Sequence, residues 1–210
     1  MSVLGVADYP AFVVAVIVFL AIPGPGNLAI VTSTGKRGVR GGLAATAGLI
    51  VGDQLLLWLA VAGVAALLAA HPAAFTAIRW AGAAYLAWLG LGLLRSRGGA
   101  ESGPRLPVRM IPGHEVRQAF LVTLLNPKAI VFYMAFFPLF LDPARPPGIG
   151  TFAAMAATIA VLTFVYGAAV ALLTHRLAER LRTSPRAVRW LHRIAGTAMV
   201  AFGIRVALEL

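Results

Sequence analysis

The sequence predicts an all-α membrane protein: six transmembrane helices in two inverted three-helix repeats, with helices 1 and 4 interrupted by proline motifs. Three observations predict it. Six apolar stretches are each long enough to cross a bilayer, prolines break two of them in matching places, and a short pattern in the third returns in the sixth.

Composition sets the class. Of 210 residues, 60% are hydrophobic and only 12% charged, with a mean hydropathy of +0.87, which excludes an ordinary soluble domain and a disordered chain. With no cysteine, disulfides and thiolate metal sites are absent, and His71, His114, His175 and His192 show no metal-ligand spacing. A net charge of +11 invites a nucleic-acid reading, but the basic residues cluster beside the ends of apolar stretches, as at a membrane surface. No Lys or Arg precedes the first stretch, so it is read as a retained span and not as a cleaved signal.

The spans fall at approximately 11–33, 41–70, 74–95, 116–141, 149–174 and 188–208. The short links are 35–40, the His71-Pro72 turn, and Asp142 to Gly148. A longer polar linker covers about 98–113, opening with a Gly- and Ser-rich run, and a basic stretch covers 175–187. Most of the 18 basic residues lie on one side. Lys36, Arg37 and Arg40 are in the first link, Arg95 to Arg117 around the third, and Arg176 to Arg193 around the fifth. That side is expected to be cytoplasmic, with both termini outside.

Residues 79–88 and 193–202 share an Arg, an Ala-Gly pair, later Ala positions and a closing aromatic. Spans one and four match more weakly, each interrupted by proline near an asparagine. Three spans per repeat is odd, so the repeats must be inverted: repeat 1 about 1–97 and repeat 2 about 114–210 of a single transmembrane domain. The plain alternative is that Ala/Gly-rich helices resemble one another by composition.

The chemistry concentrates at the interruptions. Pro23-Gly24-Pro25-Gly26-Asn27 lies inside an apolar span, where each proline costs about 3 kcal/mol in a helix interior. Such a break survives in hydrocarbon only where protein or a wet cavity surrounds it. Asn126-Pro127-Lys128 is the second break. Its freed carbonyls can bind an ammonium or a proton-carrying water, and both asparagines either pin the broken ends or touch substrate. Asp53, followed by Gln54, sits near the middle of span two, with Lys128 as its expected partner. The functional reading makes Asp53 a proton-coupling or ammonium-binding group. The structural reading makes the two a static ion pair. Tyr133 and Tyr166 are weaker candidates, read first as packing residues. Arg79, Trp80 and Arg205 read as interface anchors, and Gly42, Ala45, Gly48, Gly82 and Gly90 as points of close helix approach. No nucleophile–base pair, metal cluster or phosphate loop is present, so neither an enzyme nor a cofactor is expected.

These residues resemble the LysE/RhtB family of amino-acid exporters along essentially the whole chain. The resemblance rests on Pro23-Gly24-Pro25 with Asn27, Gly35-Lys36-Arg37-Gly38, Gly41-Gly42, Gly48, Gly52-Asp53, Gly82-Ala83-Ala84-Tyr85-Leu86 with Gly90, Asn126-Pro127-Lys128-Ala129 and Phe137-Pro138. It implies a small six-span exporter in a bacterial cytoplasmic (inner) membrane, moving an amino acid or related metabolite outward against protons. The expected partners are that substrate, protons and lipid. A homodimer is compatible with the chain, though no interface is legible. Alternatives are a metal-ion or other cation exporter of the same superfamily, which a single carboxylate serves poorly, and a non-transporting membrane scaffold.

Overall fold

The computed structural model of the chain describes residues 6, 8–70, 91, 110–141, 148–177 and 197. The expected spans three and six, apart from Leu91 and Thr197, lie outside the described residues, as do both copies of the short repeat except Thr197. The described part is helical, with one isolated antiparallel bridge between Val6 and Leu141.

Helix α1 (Tyr9–Ala21) opens on Asp8, whose side chain accepts from the Ala11 amide at 3.1 Å. It stops because Ile22 precedes Pro23. The proline ring excludes the helical conformation from the residue before it, and Ile22 is extended at φ −66°, ψ 119°. Gly24 stands before Pro25 in the same relation. Pro25 then supplies a preset φ and starts α2 (Pro25–Ala70).

Helical order in α2 fails at Arg37 (φ −130°) and Gly38 (φ 63°, ψ −160°), a backbone that only glycine adopts without strain. The chain reverses there. Gly41 lies against the Ser33 carbonyl and Gly26 against Leu49, contacts that a straight helix would hold far apart. Two arms result, 25–36 and 39–70. Arm 25–36 thus follows α1 across the Pro23–Gly24 break, and arm 39–70 follows the reversal.

The second interruption separates α3 (Glu115–Leu124) from α4 (Pro127–Val131). Asn126 caps α4, its side-chain oxygen accepting from the Lys128 amide at 3.1 Å, and Pro127 fills the first turn. A π-helical turn (Phe132–Phe136) and a 3₁₀ turn (Phe137–Phe140) complete this span. Helix α5 (Ile149–Leu177) runs unbroken. By length and composition, Ile149–Arg176 qualifies as a membrane-crossing segment, as does the stretch Pro25–Gly63 that holds the two arms of α2.

Helix α2 packs chiefly on α3 and α5. The approach is close because of glycine: Gly48 faces the Val116 carbonyl and Ala119, Gly52 faces Thr123, and Gly167 of α5 faces Thr46. Two apolar cores form. One joins Phe12, Val16 and Phe19 to Leu57, Phe132, Phe140 and Met155. The other joins Ile30, Ala45 and Leu49 to Met110, Ala119 and Ala171. The segments between them, near residues 22, 53, 126 and 163, meet at the breaks. Val14, Ile17, Val51, Leu55, Leu59, Val161, Phe164 and Val165 turn outward and are exposed, as a lipid-facing surface requires.

Candidate functional site

An interrupted helix leaves its last carbonyls without partners. At the end of α1 these are supplied by side chains. The Asn27 amide donates to the Leu20 and Ile22 carbonyls at 3.1 and 3.2 Å. The Lys128 ammonium donates to the Phe19 and Ile22 carbonyls at 2.8 and 2.9 Å, and sits 4.4 Å from the centroid of the Phe19 ring. Gly24 stands beside that ammonium: a Cβ there would meet it at 3.9 Å, an ordinary van der Waals distance.

A cavity of about 50 Å³ opens where the breaks meet. Gly24, Gly26, Asn27, Asp53, Asn126 and Lys128 line it, together with the apolar Phe19, Leu20 and Leu49 and the hydroxyl-bearing Thr123 and Thr163. Asp53 is buried and hydrogen-bonded to the Tyr133 hydroxyl, with Lys128 and Thr163 close enough to act on its charge. Among the described residues the salt bridge is Arg37–Glu115; Asp53 and Lys128 line the same cavity without a direct ion pair. The cavity is small. An apolar cavity of about 150 Å³ takes a benzene molecule, so a solute of that size enters this one only when its walls part.

Most of the expected site residues converge here, with exceptions. Pro23 and Pro25 shape the backbone and do not line the space, and Pro127 opens α4. Gln54 faces away, its amide donating to the Ala156 carbonyl at 3.0 Å and tying α2 to α5. Tyr133 reaches the site through Asp53, and Tyr166 adjoins Asn27.

Two buried polar residues escape sequence reasoning, Thr163 at the cavity and Glu115 away from it. Thr163 lines the cavity at 2% exposure, and its hydroxyl makes no well-formed hydrogen bond although Asp53 lies beside it. Glu115, at the start of α3, has a side chain only 3% exposed and receives both oxygens' worth of bonding from Arg37, at 3.1 and 3.0 Å. The Gly113 amide adds a bond at 3.0 Å, and Lys36 donates to the Met110 carbonyl nearby. Burial pushes the Glu115 carboxyl up, but its own amide, that of Gly113 and Arg37 outweigh burial and hold it below its ordinary value. This network straps the 37–38 turn to the segment leading into α3. The signal available was a lone acidic residue in a helix's first turn, which does not name its partner.

Residues 17–210 match the family described as LysE type translocator. The chain belongs to the LysE type translocator family. This translocator is thus a membrane protein and not an enzyme. It is 33% identical over 212 residues to an uncharacterized membrane protein of Pseudomonas aeruginosa, covering 99% of this chain and 98% of that one. It is 32% identical over 207 residues to a protein named leucine efflux protein in Salmonella typhimurium, covering 97% and 96%. A Klebsiella pneumoniae protein of the same name is 32% identical over 208 residues, covering 97% and 96%. No solved structure matches the translocator at a significant level.

Proposed function

We propose that this translocator is a secondary active exporter of an amino acid, working by proton antiport and alternating access around the cavity between the two helix breaks. One observation carries the reading. A buried carboxylate (Asp53), an ammonium (Lys128) and the carbonyls freed at a broken helix share a single space. That is the chemistry a zwitterion requires, and intramembrane ions are expensive enough that they mark functional sites.

In this reading Asp53 gives up a proton as the substrate's ammonium enters the cavity, with Tyr133 as its hydrogen-bond partner when charged. Phe19, Leu20 and Leu49 favour an aliphatic side chain, which agrees with the leucine efflux proteins among its relatives. Six helices in two inverted three-helix repeats, about 1–97 and 114–210, would rock around this site in a bacterial inner membrane. Both termini would lie outside and lipid would surround the bundle. A homodimer is compatible with this plan. The test is a panel of labelled amino acids in proteoliposomes, with and without a proton gradient. Gradient-driven movement of leucine and neutral amino acids of similar size is expected; movement of every compound regardless of the gradient overturns the reading.

A further inference from the structure

We propose that Lys128 is a tethered stand-in for the substrate's own ammonium group, so that the resting translocator is plugged by a piece of itself. The Lys128 side chain is an alkylammonium: a four-carbon stem carrying three N–H donors. It reaches over from the second break and delivers those donors to two carbonyls of the first, 109 and 106 residues away, above the Phe19 ring. Nothing in this arrangement is peculiar to lysine. Two converging carbonyls, an aromatic face and a glycine wall form a receptor for any primary ammonium on an aliphatic body.

The remaining geometry says where the lysine goes when displaced. Asp53 lines the same cavity, and Thr163 beside it holds a buried hydroxyl without a well-formed hydrogen bond. Swinging the Lys128 ammonium off the carbonyls lets it pair with Asp53 in the same cavity, and its departing stem frees room that the resting cavity of about 50 Å³ lacks. An arriving ammonium takes the vacated carbonyls, so no buried donor or acceptor is left unpaired at either end. That exchange during transport rests on the proposed function. The ammonium receptor itself does not, and it is testable without any transport.

The test uses purified full-length protein in detergent. Thermal unfolding of wild type, Lys128→Ala and Lys128→Ser is followed with n-butylammonium, with tetramethylammonium (a cation without N–H donors) and with n-butanol. Both variants are expected to unfold several degrees below wild type and to recover with n-butylammonium only, while wild type at the same concentration stays put. A second measurement needs no variant. The chain has two lysines, Lys36 and Lys128, so ¹⁵N-lysine labelling yields two ammonium signals. Titration of wild type should move the Lys128 signal alone, at a concentration about tenfold or more above that which rescues the variants, because the ligand competes with a tethered group. Rescue by tetramethylammonium or butanol as effective as by butylammonium overturns the proposal. So does a Lys128 signal unmoved at saturating butylammonium. If butylammonium binds as expected but no amino acid is transported, the receptor stands and the exporter reading fails.

Discussion

The Lys128 ammonium donates to the Ile22 carbonyl at 2.9 Å, joining two helix breaks that lie 106 residues apart. Each break would be costly alone, since a freed carbonyl in hydrocarbon has no water to accept from. Joined, they satisfy one another. The second break supplies the cation that the end of α1 needs, and Asn27 supplies the neutral donor. The pair also fixes what must change for anything to pass: the bonds at Phe19 and Ile22 must be given up, and something of equivalent chemistry must replace them.

The Arg37–Glu115 strap has its own pH signature. Because Glu115 is held below its ordinary value of 4.5, its stabilisation is fully present above that value and is lost as pH falls through the lowered folded value. Arg37 is 45% exposed, so removing it should cost only about 1–2 kcal/mol. Unfolding curves of wild type and Glu115→Gln should therefore run a constant distance apart from pH 7 down to the ordinary carboxylate range, then converge in acid. A gap that widens in acid would show that the carboxylate is not held in its charged form.

Glycine substitutions should divide by neighbour. A Cβ on Gly48 meets the Val116 carbonyl and the Ala119 methyl, where α2 and α3 touch, so Gly48→Ala should destabilise by about 1–3 kcal/mol. Gly35 has nothing within 4 Å, and Gly35→Ala gains helix propensity of up to about 1 kcal/mol. Thermal melts of the two variants against wild type decide this. Equal effects would contradict the close approach at Gly48.

Orientation is open to direct labelling because the native chain has no cysteine. Gly35→Cys places one on an exposed position beside Lys36 and Arg37. A membrane-impermeant maleimide should modify it only after cells are opened. Modification in intact cells would invert the topology that the basic residues imply.

Much of the site was legible because it depends on residue types that are rare in an apolar span. Pro23 and Pro25 announce the first break, Asn126-Pro127 announces the second as a cap followed by a first-turn proline, and Asp53 is conspicuous by depth. What stayed hidden depends on backbone and packing. The carbonyls of Phe19 and Ile22 are ligands by virtue of where α1 ends, which no side chain encodes. For the same reason the expected partnership of Lys128 with Asp53 said nothing of the Phe19 and Ile22 carbonyls, which hold the ammonium while Asp53 lines the same cavity. Thr163 looked like any threonine in an apolar helix until α5 was placed against α2. Glu115 and Arg37 meet only through the hairpin that Gly38 allows, and the sequence shows the glycine without showing what the turn brings together.

The central claim is that Asp53 couples protons to amino-acid export, and one measurement reaches it directly. Wild type and Asp53→Asn are reconstituted at equal yield, and efflux of labelled leucine is followed with and without an imposed proton gradient, alongside exchange at zero gradient. Wild type should accelerate with the gradient. The variant should lose that acceleration, at least about tenfold, because the neutral amide cannot carry a proton through the cycle. An Asp53→Asn protein that responds to the gradient as wild type does would contradict the account.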